Sequence, residues 1–259
     1  MNSELRPLIF HYHIFKNAGT SFNWSLKQYF KGSFFEYDPV LANGILSPEE
    51  IIKFATDHPE ANVISSHQAF LPVPQLPNRQ VVSTILIRDP IARIRSIYNF
   101  ERMQKADNPG ANKAKELGFK DYIEWRLDAT PNMLCNYQVH YCSRTLETFA
   151  NIPGEEQFQK AVSNLKKIRV VGTVERYNEW LQSVELALQK NFPRLILNNR
   201  HLNISTKSSS SSDTEIINAM MVDLGEDLVS RLLKSNELDM RLLQEADSLL
   251  GKNPTIRPI

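Results

Sequence analysis

The chain has 259 residues, 42% of them hydrophobic and 23% charged, with only nine glycines, which is the balance of an ordinary globular protein with one large core. Thirty Lys+Arg against 29 Asp+Glu leave a net charge of +1, which excludes a protein that grips nucleic acid by broad phosphate neutralisation and makes any anion site a local one. The opening stretch MNSELRPLIFHYHIF has an early acidic residue and an apolar run too short for a signal segment or a membrane span, so a cytoplasmic protein is expected.

The first predicted element is a strand over Leu8 to Phe15. It runs into Lys16-Asn17-Ala18-Gly19-Thr20-Ser21, and Phe22, Leu26, Tyr29 and Phe30 then mark one face of a helix. Strand, tight loop and helix start in that order form an anion site, because first-turn N–H groups lack intrahelical partners and the helix dipole is positive there. Gly19 permits close approach, Lys16 adds a point charge, and Thr20 and Ser21 add hydroxyl donors. Read alone, the loop also fits a plain helix start, with Thr20 as cap and Lys16 as a solvated lysine. It lacks the Gly-x-x-x-x-Gly-Lys-Ser/Thr spacing of a nucleoside triphosphatase.

Phe34 to Tyr37 is a weaker strand candidate, and Ser47-Pro48-Glu49-Glu50 is a capping box with Pro at the first helical position. Val63 to Ser65 reads as a short strand that delivers His67 at its end. Val81 to Ile87 is the most strand-like run. It ends at Arg88-Asp89-Pro90, where Asp89 caps a helix that Pro90 begins, so Arg88 stands at a strand's carboxyl end, the edge where open α/β sheets bind ligands. On that helix Ile91, Ile94 and Tyr98 share an apolar face, whereas Arg93, Ser96 and Phe100 share another. Arg88 and Ser96 together can grip a second phosphate, although an arginine here also fits an ordinary ion pair with Asp89.

Arg93, Arg95, Arg102, Lys105, Lys113 and Lys115 form a basic stretch that suits either an anionic glycan or a solvated helix face. Tyr122 and Trp125 suit either sugar stacking or the core. Cys135 and Cys142 read as buried thiols on one helix, and His140 beside Cys142 makes no zinc site, so no metal is expected. Arg169 to Gly172 and Arg194 to Leu197 complete the predicted strands, with a helix over Glu175 to Lys190 between them. Ser208 to Ser212 lies in a serine-rich loop spanning about 204–213, predicted to be mobile, and Thr214 to Leu250 carries helical periodicity for closing helices. The tail from Asn253 to Ile259 is expected to be extended. Short, nearly continuous apolar strands alternating with helices predict one α/β domain over 1–259, a three-layer α/β/α sandwich on a central, mainly parallel sheet with extra C-terminal helices.

Two segments carry a resemblance. HYHIFKNAGTSF resembles the phosphosulfate-binding opening of sulfotransferases, and LIRDPIARIRSIYNF resembles their 3'-phosphate-binding segment, with Arg-Asp-Pro, an arginine five after Arg88 and Ser-x-Tyr in register. The pair looks most like bacterial sulfotransferases related to heparan sulfate 2-O- and 6-O-sulfotransferases, from Pro7 to about Arg200, with Asn236-Glu237-Leu238-Asp239 also similar to a family pattern. The resemblance implies a P-loop-like sheet and the donor 3'-phosphoadenosine 5'-phosphosulfate (PAPS), leaving 3'-phosphoadenosine 5'-phosphate as product. It implies Lys16, Asn17, Ala18, Gly19, Thr20 and Ser21 around the 5'-phosphosulfate and Arg88 with Ser96 at the 3'-phosphate. Phe15 replaces the family's usual proline, and Asn17 stands where many members have threonine. Val171 to Tyr177 resembles a segment that borders the nucleotide in relatives.

Sulfuryl transfer needs a base, and His67 is the candidate, being at the same sheet edge as both anion sites and of a residue type that titrates near neutral pH; Lys16 supplies charge for the leaving group. Ser66-His67-Gln68 looks similar to the place of the family's catalytic histidine. His67 also fits a backbone-bonded strand-end residue, and His11 and His13 fit packing within the first strand. The partners expected are PAPS and a hydroxyl-bearing acceptor, carbohydrate or small molecule. Two other functions stay open: a P-loop small-molecule kinase with Asp89 on magnesium, and a non-catalytic binder of a phosphoadenosine nucleotide.

Overall fold

Alternation along one strand sets the architecture. In β1 (Arg6–Tyr12), Leu8, Phe10 and Tyr12 point into one hydrophobic cluster while Ile9 points into another, so the strand is buried on both faces. The computed structural model describes residues 6–40, 44–71, 75–145, 153–197 and 213–251. The serine-rich segment 208–212 and the tail 253–259 lie outside the described residues.

β1 is the centre of a five-stranded sheet of order β2-β3-β1-β4-β5, with β2 Phe34–Glu36, β3 Val63–Ser66, β4 Arg79–Ile87 and β5 Val170–Thr173. All four pairings are parallel, so every strand ends at the same edge. The fold is α/β, a three-layer α/β/α sandwich, as expected. α1 (Gly19–Phe30) and α8 (Tyr177–Leu188) cover one face through Phe22, Leu26, Trp180, Leu181 and Val184. α2 (Pro48–Asp57), α6 (Tyr137–Ser143), α7 (Glu155–Leu165) and α11 (Glu237–Gly251) cover the other through Ile51, Val139, Phe158, Leu165, Leu242 and Ala246. Each such buried Val, Leu, Ile or Phe side chain contributes about 1.5–3 kcal/mol.

A third cluster joins α3 (Pro90–Met103), α4 (Pro109–Glu116), α5 (Phe119–Ala129), α9 (Asp213–Leu224) and α10 (Glu226–Ser235) beyond the carboxyl edge of β4. Tyr122 belongs to this core, where its hydroxyl donates to Glu101, which also pairs with Arg126, so the sugar-stacking alternative for Tyr122 falls. The closing segment is three helices, broken at Gly225 (φ 82°) and Asn236.

Three expectations are corrected. Arg194 to Leu197 is not a strand: Leu195 N–H donates to Phe192 O and Leu197 N–H to Glu185 Oε1, so turn and side-chain acceptors replace a ladder, although both leucines are buried. Cys135 precedes α6 instead of sharing a helix with Cys142; both thiols are free and buried. Within the basic stretch Arg93 departs from a solvated face, being buried, whereas Arg102, Lys105 and Lys115 are exposed and Arg95 and Lys113 pair at the surface with Asp223 and Glu116.

Candidate functional site

Parallel strands bring the segments after β1, β3 and β4 side by side, on both flanks of the central strand where the chain crosses from one side of β1 to the other. Open α/β sheets bind ligands at such crevices. The loop after β1 turns tightly: Ile14 N–H donates to Tyr12 O and Asn17 N–H to Ile14 O. Lys16 and Ala18 take left-handed conformations, φ 67° and 59°. Each costs a non-glycine residue about 1–2 kcal/mol, so something must hold the loop.

Asn17 is the latch. Its Nδ2 donates to Leu86 O at 2.8 Å and to Gln138 Oε1 at 2.7 Å, tying the loop to β4 and α6. Gln138 in turn accepts from Arg88 N–H and donates to Arg88 O, both at 2.8 Å, and Asp239 accepts from the backbone N–H groups of Gln138 and Val139. Burial pushes the Asp239 carboxyl up, with the N–H donors and Arg93 opposing. Asn136 Oδ1 accepts from Leu238 and Asp239 N–H while Asn236 Oδ1 accepts from Asn136 N–H. The Asn236 to Asp239 segment therefore sits behind the loop as its support. Asn17, grouped with the nucleotide ligands by resemblance, turns its side chain inward and leaves its backbone at the loop.

α1 begins at Gly19 with no side-chain cap at Ala18; Ser21 N–H turns back to Ala18 O at 3.1 Å, which leaves the Gly19 and Thr20 amides as the candidate donors to an anion. Thr20 is exposed there and Ser21 buried. Lys16 is half-buried; its Nζ lies 4.3 Å from the Phe100 ring centroid, and its carbonyl accepts from Arg88 Nη1 at 3.0 Å. Burial, then the charges of Arg88 and Arg93, bring the Lys16 ammonium down to about 8. Arg93, 1% exposed, donates to Phe15 O and Met133 O and stacks on Tyr137. Two neighbouring arginines and a lysine with a lowered pKa describe a place that favours anions.

Arg88 stands at the end of β4, followed by Asp89, whose Oδ1 accepts from Ile91 and Ala92 N–H as the predicted cap. Asp89 N–H donates to Glu175 Oε1, so the Val171 to Tyr177 segment borders the site. Ser96 lies half-buried along α3.

His67 follows β3 on the α1 face of the sheet. Its Nδ1 donates to Asp38 Oδ2 at 3.0 Å, and Asp38 Oδ1 accepts from His67 N–H and from Ser66 Oγ. Burial pushes the Asp38 carboxyl up, but the hydrogen bonds from His67 and Ser66 together outweigh it and hold it below the usual range. Arg144, with Nη2 on Ala69 O and His67 O, pins the segment from behind. The His67 ring stacks on His13 with centroids 3.9 Å apart, and His13 packs against Gly19, where an added Cβ would come within 2.1 Å of His13 Cδ2. Only glycine fits there. Loop and candidate base are thus one histidine ring apart.

Asp38, His13 and Gln138 were not legible as site residues. Asp38 follows the weakest predicted strand, His13 reads as a strand residue, and Gln138 reaches the loop from a distant helix.

No family model matches the chain. It is similar to an uncharacterized protein of Archaeoglobus fulgidus, 28% identical over 244 residues that cover 93% of this chain and 96% of that protein.

Proposed function

We propose that the protein is a PAPS-dependent sulfotransferase that moves a sulfuryl group to a hydroxyl of a carbohydrate or small-molecule acceptor. The observation that carries this reading is the convergence, at the carboxyl ends of β1, β3 and β4, of an uncapped helix start with Lys16, an arginine at Arg88 and a His67–Asp38 dyad. The resemblance of Lys16 to Ser21 and of Arg88 to Ser96 to the two nucleotide segments of sulfotransferases supplies the identity of the donor. PAPS, when bound, supplies an activated sulfuryl group on a phosphate leaving group.

The chain's own residues would act as follows. Lys16, the Gly19 and Thr20 amides and the Thr20 hydroxyl hold the 5' anion and meet the charge that develops on leaving. Arg88 and Ser96 take the 3'-phosphate, which separates PAPS from ATP. Asp38 keeps the proton of His67 on Nδ1, so Nε2 offers a lone pair that accepts the acceptor's hydroxyl proton as its oxygen bonds sulfur. A cytoplasmic location goes with this reading; among the described residues no helix is long and apolar enough to cross a membrane. A small-molecule kinase would draw Asp89 to magnesium, but the loop lacks the Gly-x-x-x-x-Gly-Lys-Ser/Thr spacing of a nucleoside triphosphatase, which favours the sulfotransferase.

Incubation with PAPS labelled in the sulfuryl group and a panel of sugars and phenols tests the proposal. The expected result is a labelled acceptor together with 3'-phosphoadenosine 5'-phosphate, lost in His67→Ala while nucleotide binding persists. Label that never leaves PAPS, with phosphoryl transfer from ATP to the same panel, would overturn it.

A further inference from the structure

His13 is 6% exposed and has one ring nitrogen assigned by its neighbours. Asn23 Nδ2 lies 3.3 Å from His13 Nδ1 and 3.2 Å from Glu36 Oε1. Glu36 fixes which way the Asn23 amide points, because an amide oxygen in that position would face a carboxylate. The amide therefore donates to His13 Nδ1, which must be the unprotonated nitrogen, and the ring proton of the neutral imidazole resides on Nε2. Burial, followed by the charges of His67, His11, Lys16 and Lys27, pushes His13 well below the usual histidine range, consistent with that neutral form.

The Cδ2–Nε2 edge of the His13 ring packs against the loop after β1. Nε2 would lie 2.4 Å from a Cβ on Gly19, the first residue of α1, and among the described residues it has no hydrogen-bond partner. The stacked partner has the opposite arrangement, since Asp38 takes the Nδ1 proton of His67 and leaves its Nε2 as acceptor. Two stacked imidazoles thus present one N–H donor and one lone pair beside the same loop.

We infer that His13 donates a hydrogen bond through Nε2–H to the anion held at the start of α1, while its ring fixes the plane of His67. His13 is then a ligand-contacting group for a phosphate or sulfate oxygen. The inference rests on the anion-binding reading of the loop and does not depend on which nucleotide carries the anion. A buried, uncharged donor suits this position because it adds a hydrogen bond without adding to the charge of Lys16, Arg88 and Arg93.

Imidazole nitrogen NMR of the wild-type protein, with inorganic pyrophosphate and 3'-phosphoadenosine 5'-phosphate as separate probes, tests it alongside His13→Phe and His13→Gln. The free protein should show His13 protonated on Nε2 and His67 on Nδ1, and pyrophosphate should shift the His13 Nε2 resonance. His13→Phe keeps a ring against His67 but loses the donor, and should weaken pyrophosphate about tenfold; His13→Gln, whose amide reaches the same point, should recover most of it. A His13 proton on Nδ1, pyrophosphate binding unchanged in His13→Phe, or no pyrophosphate binding by wild type would each overturn the inference. Pyrophosphate binding that depends on His13, with no binding of the nucleotide, would uphold His13 and reject the nucleotide reading instead.

Discussion

Asp38 and His67 form a dyad in which one carboxylate accepts from both the ring Nδ1, at 3.0 Å, and the backbone N–H, at 2.7 Å, of the same histidine. Two contacts fix both the orientation of the imidazole and its tautomer. Asp38→Asn keeps the shape but can offer an N–H to Nδ1, which would move the proton to Nε2. The variant is expected to lower the turnover of sulfuryl transfer by about a hundredfold or more, with nucleotide affinity nearly unchanged. Steady-state kinetics beside a binding isotherm check it, and an unaltered turnover would remove Asp38 from the chemistry.

Lys16 ties affinity to pH. In the free protein, burial and then Arg88 and Arg93 bring its pKa from 10.5 to about 8. A bound anion favours the ammonium form, so binding raises that pKa and takes up a proton above pH 8. Affinity for 3'-phosphoadenosine 5'-phosphate is expected to be flat just below pH 8 and to weaken above it, by up to about tenfold per pH unit. Calorimetry in buffers of different ionisation enthalpy reads the proton uptake directly, and Lys16→Met should abolish it.

Acid should weaken the fold before its carboxylates titrate. His11, hydrogen-bonded at Nδ1 to Thr84 Oγ1, is lowered from 6.5 to about 3, by burial first and then by the charge of His67, and His13 is lowered as well. Both are neutral when folded and take protons near pH 6.5 when unfolded. Their contribution is complete above that value and is lost as pH falls, at about 1.4 kcal/mol per pH unit for each histidine. Urea midpoints measured from pH 7 to pH 5 are expected to fall accordingly, and a flat profile would contradict buried neutral histidines.

Gln138 holds the loop from α6. Gln138→Leu leaves Arg88 N–H and Arg88 O without their side-chain partner and frees Asn17 on one side. Each buried group orphaned in this way costs about 1–3 kcal/mol. The variant should melt several degrees lower and bind the bisphosphate nucleotide more weakly, although Gln138 touches no ligand. Loss of stability with intact affinity would show that the latch is structural alone.

The tight turn between β1 and α1, the capped start of α3 and the strands β1 to β5 could be read from sequence because each is a local pattern: an apolar run, a glycine turn, an Asp-Pro helix start. Leu195 and Leu197 misled because burial next to α8 produces the same apolar signature as a strand, while the backbone partner that decides the matter, Glu185, lies a helix away. Asp38 and Gln138 could not be read as site residues for a related reason. Each reaches the site only through tertiary contacts, from residues 29 and 50 positions removed from His67 and Arg88 in the chain. His13 was visible as one of two alternating strand histidines, but its value lies in the neighbours that fix its proton, Asn23 and Glu36.

The most direct test is a calorimetric titration of the protein with 3'-phosphoadenosine 5'-phosphate, and separately with ADP and with ATP plus magnesium, for wild type and Arg88→Ala. Binding of the bisphosphate in strong preference to ADP and ATP, weakened at least tenfold by Arg88→Ala, is the predicted result for a 3'-phosphate held by a charge-assisted arginine contact. Preference for ATP with magnesium, or a bisphosphate affinity indifferent to Arg88→Ala, would contradict the sulfotransferase account.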